Sequence, residues 1–154
     1  MANWIINIGI VVMTFIGMEG VAWLTHKYLM HGLLWTLHRD HHHKDHEGFL
    51  ERNDFFFLIF AIPGIICLAF GSLLDKPTAL WIGVGITLYG AAYFFVHDIF
   101  IHQRFKIFRN SDHWYFKAIR RAHKMHHKHI NKEQGECFGM LWVPFKYFME
   151  TRKT

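Results

Sequence analysis

Residues 79–102, ALWIGVGITLYGAAYFFVHDIFIH, set a long apolar run directly against a histidine pair. Residues 79–96 carry no charge, and a helix of that length rises roughly 27 Å, close to the bilayer core of about 30 Å. Two further runs repeat the pattern. Residues 4–24 (WIINIGIVVMTFIGMEGVAWL) hold one charged group, Glu19, and residues 55–74 (FFFLIFAIPGIICLAFGSLL) hold none. Three such runs in 154 residues leave too little polar surface to enclose them, which excludes a soluble globular fold. The expectation is an all-α integral membrane protein with three transmembrane helices, a single membrane-embedded domain over residues 1–154.

Two polar segments, 25–54 and 97–154, flank the second and third spans. Within the latter, residues 137–149 (CFGMLWVPFKYFM) are apolar but interrupted by Pro144 and Lys146, and too short to cross. An interfacial or re-entrant element is expected there. The first run reads as a span rather than a cleaved signal, because no Lys or Arg precedes it and no small-residue cleavage site follows.

Lysine and arginine orient the chain. Sixteen of the seventeen lie between the first two spans or after the third; only Lys76 sits in the opposite turn. The positive-inside rule then places both histidine-bearing segments and the C-terminus in the cytoplasm, with the N-terminus outside. Topology and attraction to anionic lipid account for the net charge of +5. No nucleic-acid-binding motif accompanies it. Cys67 and Cys137 form no disulfide framework or cluster motif and read as ordinary apolar residues.

The fourteen histidines avoid the apolar runs. His26/His31 and His97/His102 form H-x4-H pairs at span exits, each followed by an H-x2-H-H cluster: His38/His41/His42 and His123/His126/His127. At this chain's histidine frequency an H-x2-H-H cluster is expected about 0.1 times by chance, so two copies are a strong signal. The repeated order suggests two similar halves closing on one site. On a helix, positions i, i+3 and i+4 share a face, so each cluster can aim three imidazoles in one direction. An H-x4-H pair lies about 140° apart on an ideal α-helix. Its members either serve different metals or sit on a distorted helix end. Ten candidate ligands are too many for one ion and enough for two.

His43, His46, His113 and His129 lie in charged or loop-like sequence and are expected to face solvent or stand behind the ligands. Glu19, an ionisable group inside a span, is a functional candidate, or else a protonated or snorkelling side chain. Asp98 can orient His97 through its second ring nitrogen.

A bis-histidine haem protein would carry its ligands within the spans, and a metal transporter needs polar groups near the midplane. Hydrolysis at zinc requires far fewer histidines. The set favours a redox-active pair that uses O2, iron being the natural candidate. No G-x-G-x-x-G fingerprint and no cysteine set is present, so neither a bound flavin nor an iron–sulfur cluster is expected and electrons must come from a partner. A non-catalytic membrane metal-binding protein is the alternative from another class.

The stretches MEGVAWLTHKYLMHG, HRDHH, ERND, HDIFIHQRF, RAHKMHH and GECFGMLWVPFKYF, spread from about Met18 to Phe148, resemble the bacterial β-carotene hydroxylase family. That family lies within the fatty acid hydroxylase superfamily of membrane non-haem di-iron oxygenases. The resemblance implies O2-dependent hydroxylation at C3 of the β-ionone ring, converting β-carotene to β-cryptoxanthin and zeaxanthin in the inner membrane. It implies ferredoxin as electron donor. It also maps the family's ligand boxes onto His26, His31, His38, His41, His42, His97, His102, His123, His126 and His127. A carotenoid ketolase or lipid hydroxylase on the same scaffold is the nearer alternative.

Overall fold

The computed structural model describes residues 2–43, 48–108, 110–133 and 135–152. Among these, every regular element is helical: α1 (Ala2–Leu24), α2 (Trp35–His42), α3 (Phe55–Leu73), α4 (Pro77–Phe94), α5 (Trp114–Lys128) and α6 (Phe145–Thr151), with shorter turns between them.

Three helices are long and apolar enough to cross a membrane, over Asn3–Leu33, Arg52–Leu73 and Pro77–Ile101. Their surfaces confirm the reading: only 6% of the apolar window of the first is buried against protein. So large an exposed apolar surface is stable in lipid and not in water. Helix α4 packs between α1 and α3. Two of its glycines, on different faces, allow both close approaches. A Cβ on Gly83 would lie 2.8 Å from the Leu68 backbone nitrogen, and one on Gly85 would lie 2.7 Å from Thr14 Cβ. Without a hydrophobic drive between helices in lipid, such small-residue contacts supply the packing. The tight α3–α4 turn places Asp75 at φ 50°, a left-handed conformation Asp tolerates, and Pro77 starts α4 at its first turn.

The first and third spans do not end where their apolar runs end. Helix α1 continues as a π-wound segment, Thr25–Leu33, and α4 continues as another, Phe95–Ile101. The amide of Leu34 donates to the Leu29 carbonyl at 2.7 Å and that of His102 to His97 at 2.9 Å, both i→i+5 bonds. The histidines expected beyond the spans therefore ride on continuous extensions of them. Gly32, at φ −121° and ψ −108°, breaks the first extension and redirects the chain into α2.

A second core lies beyond the spans. Helix α5 buries Ala118, Ile119, Ala122, His123 and His126 at helical spacing. Its apolar members pack with Val96, Cys137, Met140, Val143 and Tyr147. Helix α6 lies against α5. The preceding segment, 136–144, is irregular and reaches back to Glu19 of α1. What was expected as one interfacial or re-entrant element is thus two parts: a short helix on α5 and a loop docked on the first span. Cys137 is buried in this core, as an apolar residue would be.

Candidate metal centre

The π winding has a direct consequence for the H-x4-H pairs. Where the backbone closes on i→i+5, residues five apart return to nearly the same face. His26 and His31 lie with ring centroids 5.2 Å apart, and His97 and His102 4.5 Å apart. The 140° separation of an α-helix is removed, and each pair serves one cluster.

The ten histidines form two groups. Potential ligand atoms of His26, His31, His38 and His126 all lie within 4.8 Å of one another, and so do those of His41, His97, His102 and His123. His42 joins the first group, its Nε2 3.2 Å from His38 Nε2, and His127 joins the second, 2.8 Å from His123 Nε2. The rings of His42 and His127 stack across the boundary at 4.6 Å. The two halves of the sequence correspond position by position, with one exchange. The middle histidine of each H-x2-H-H crosses over: His41 faces His97, and His126 faces His31.

The Nε2 atoms point inward because the Nδ1 protons are engaged outside. His26 donates to the Phe138 carbonyl (3.0 Å), His31 to Lys132 (3.2 Å) and His126 to Glu136 (2.9 Å). His38 donates to Asn53 Oδ1 (2.7 Å), His41 to Glu51 (2.7 Å) and His97 to Asp98 (3.2 Å). A ring with its one proton on Nδ1 presents a lone pair at Nε2. The facing Nε2 pairs His26/His38 at 3.2 Å, His31/His126 at 3.3 Å and His41/His97 at 3.1 Å therefore have no proton to share. Lone pairs so placed repel unless a cation lies between them. Ligands at right angles about a metal with imidazole bonds of about 2.1 Å lie about 3 Å apart, which these separations match. The donor set thus fits two metal ions.

Electrostatics agree. Burial pushes His38, His41 and His123 well below the usual histidine range, and neighbouring imidazoles depress them further. The same causes push His126 and His127 down to about 3 and His42 to about 2. All six are neutral at physiological pH, the state that binds metal.

The other histidines stay out. His43 donates to the Ile130 carbonyl at 2.8 Å, His113 is exposed beside Trp114, and His129 is half-buried. His46 lies outside the described residues. Asp98 accepts the Nδ1 proton of His97 and also pairs with Arg104 at 3.1 Å. Glu19 touches none of the ten rings. It binds the Tyr89 hydroxyl and the amides of 140–142, so its carboxylate is held within the protein rather than snorkelling.

Glu51 and Asn53, which accept the protons of two rings, were not singled out from the sequence. Nor was Arg104, which bridges Asp54, Asp98 and, at 3.6 Å, Glu51. The signal available was ERND, a run of charge abutting the second span. The carbonyls of Lys132, Glu136 and Phe138 leave no such trace, because any residue supplies one.

Beside the second group opens an apolar cavity of about 410 Å³ between α1, α3 and α4. Phe60, Ile65, Leu68 and Phe94 line it, and His97 and Asp98 close its inner end.

Fold and site together define a helical integral membrane protein with two buried histidine clusters that could hold metal. The chain belongs to the fatty acid hydroxylase family, whose pattern matches residues 11–151, and it is a hydroxylating oxidoreductase. It is 43% identical to a β-carotene hydroxylase of Pantoea ananas over 92% of this chain and 79% of that one. Against the β-carotene hydroxylase of Pseudescherichia vulneris the identity is 38%, covering 90% and 78%. A chloroplastic β-carotene 3-hydroxylase of Gentiana lutea is 39% identical over 84% of this chain and 40% of its own length. No solved structure matches.

Proposed function

We propose that the protein hydroxylates C3 of the β-ionone rings of β-carotene, giving β-cryptoxanthin and then zeaxanthin, with two iron ions held by the ten histidines. The observation that carries this reading is the twin cluster of inward-facing Nε2 atoms at the end of an apolar cavity in a membrane bundle. Each turnover consumes one O2, two electrons and two protons, converting C–H to C–OH and releasing one water.

Two irons held by the ten histidines would supply the redox chemistry needed for an unactivated C–H bond, which redox-inactive zinc could not. The protein supplies the rest. Imidazoles whose Nδ1 atoms are tied to Glu51, Asn53, Asp98 and main-chain carbonyls hold their Nε2 atoms in fixed directions. The cavity admits an apolar ring from the bilayer side and excludes water, while the polyene stays among the spans or in lipid. His97 and Asp98 at its inner end set how near the ring approaches the cluster. The electrons come from a separate donor, for which a ferredoxin reading follows from the family. The positive-inside bias supports a bacterial inner-membrane protein with the clusters and C-terminus cytoplasmic. Residues 1–154 act as one hydroxylase domain.

Expression in an aerated bacterial host that accumulates β-carotene, followed by chromatography and mass analysis of the pigments, tests the reading. β-Cryptoxanthin and zeaxanthin are expected, and none with His126→Ala. A 4-keto product would move the chain to the ketolases. Unchanged β-carotene, with protein and metal confirmed in the membrane, would overturn the substrate assignment.

A further inference from the structure

The ten rings are arranged symmetrically, but what holds them is not. In the group of His41, His97, His102, His123 and His127, two rings donate to side-chain carboxylates. Glu51 takes the proton of His41, Asp98 that of His97, and Arg104 ties both acids to Asp54. Around the other group, three of five rings donate to the main chain of one stretch. His31 donates to Lys132, His126 to Glu136 and His26 to Phe138. From 136 onward that stretch has no regular structure until α6, so its carbonyls are only as well placed as the loop itself.

Cys137, Met140 and Val143 pack this loop on α5 and the Tyr115 hydroxyl donates to the Leu141 carbonyl at 2.8 Å, but its amides are tied to one residue of the first span. Glu19 Oε1 accepts the amides of Met140, Leu141 and Trp142 at 2.8, 3.0 and 2.9 Å. Its Oε2 accepts the Tyr89 hydroxyl at 2.7 Å. Four donors satisfy a carboxylate that would otherwise be costly at this depth. The chain is wound tightly around it. A Cβ on Gly139 would lie 2.3 Å from the Trp142 carbonyl oxygen and 3.1 Å from Glu19 Oε1. Cys137, one residue before Phe138, takes a left-handed φ of 60°.

We propose that Glu19 is a positioning residue for one metal position only, that of His26, His31, His38, His42 and His126, acting through the carbonyls of the 136–142 loop. The other position, braced by Glu51, Asp98 and Arg104, does not depend on it. The inference rests on the two-metal reading above, and metal counting separates the two.

Purified protein in detergent is stripped with chelator, reloaded anaerobically with Fe(II) alone, and its iron counted by mass spectrometry. Wild type should hold two ions per chain. Glu19→Leu, which leaves three amides without an acceptor, should hold about one. Gly139→Ala, which displaces the loop while leaving the Glu19 carboxylate in the chain, should do the same and serves if Glu19→Leu does not fold. Glu19→Gln keeps an acceptor oxygen and should restore the count toward two. Adding His126→Ala to Glu19→Leu should remove nothing further, whereas adding His41→Ala should leave about none. Two tightly held ions in both Glu19→Leu and Gly139→Ala would overturn the proposal, and so would loss of both ions from folded protein. One ion in wild type would instead sink the two-metal reading, and this inference with it.

Discussion

His41 shares a short helix with His38 and His42, yet its Nε2 lies 3.1 Å from that of His97, 56 positions further along the chain. His126 makes the reciprocal crossing to His31 at 3.3 Å. Each half of the sequence therefore lends one imidazole to the other half's cluster, and neither cluster can be completed by one half alone. The crossing also places both groups side by side, with His38 5.4 Å from His41 and His126 5.5 Å from His127 by ring centroid. A reaction needing two metals acting together would require that proximity.

His41→Ala and His126→Ala should each abolish carotenoid hydroxylation, because the lost ring is one that the neighbouring half cannot supply. Pigment analysis of cells expressing either variant, normalised to membrane protein, provides the measurement. Wild-type-like zeaxanthin from either variant would remove that residue from the ligand set.

His43→Ala should keep activity within about twofold of wild type, since an exposed hydrogen bond of the kind His43 makes with the Ile130 carbonyl contributes only about 1 kcal/mol. Complete loss at normal protein level would show that His43 rather than His42 is a ligand.

Asn53→Ala removes the acceptor for His38 and leaves that buried ring free to rotate. Loss of such an outer partner commonly lowers metal affinity about 10–100-fold. Chelator competition on purified protein should show a fall in that range, and an unchanged affinity would mean that packing alone orients His38.

Gly90→Val tests the cavity. Gly90 lines it, and a Cβ there meets nothing within 4 Å, so the larger side chain fits the helix packing and occupies space meant for substrate. Zeaxanthin yield should fall by on the order of tenfold, with iron content unchanged. An undiminished yield would place the ring elsewhere.

The metal-free protein should be acid-sensitive in a defined window. His126 and His127 titrate near 3 in the folded state against an ordinary value of 6.5, so the unfolded chain binds protons first. Stability should be level above about pH 6.5 and decline as pH falls from there toward 3. Thermal unfolding in detergent across that range checks the sign, and a flat profile would contradict burial of neutral imidazoles.

The amino-acid sequence by itself determined the three membrane-spanning runs and their order, and it marked ten histidines as candidate ligands. Apolar length and residue chemistry are local properties that need no fold to be read. The doubled H-x4-H and H-x2-H-H pattern likewise announced two halves. Only the tertiary structure decided how the ligands divide, because an H-x4-H pair points two ways on an α-helix and one way on the π-wound segments that carry His26/His31 and His97/His102. The exchange of His41 and His126 depends on how α2 and α5 face each other across the site, which no spacing within either helix encodes. Glu19 was visible as an anomaly in a span, but its partners are the amides of 140–142, some 120 positions away, and a backbone amide has no letter in the sequence.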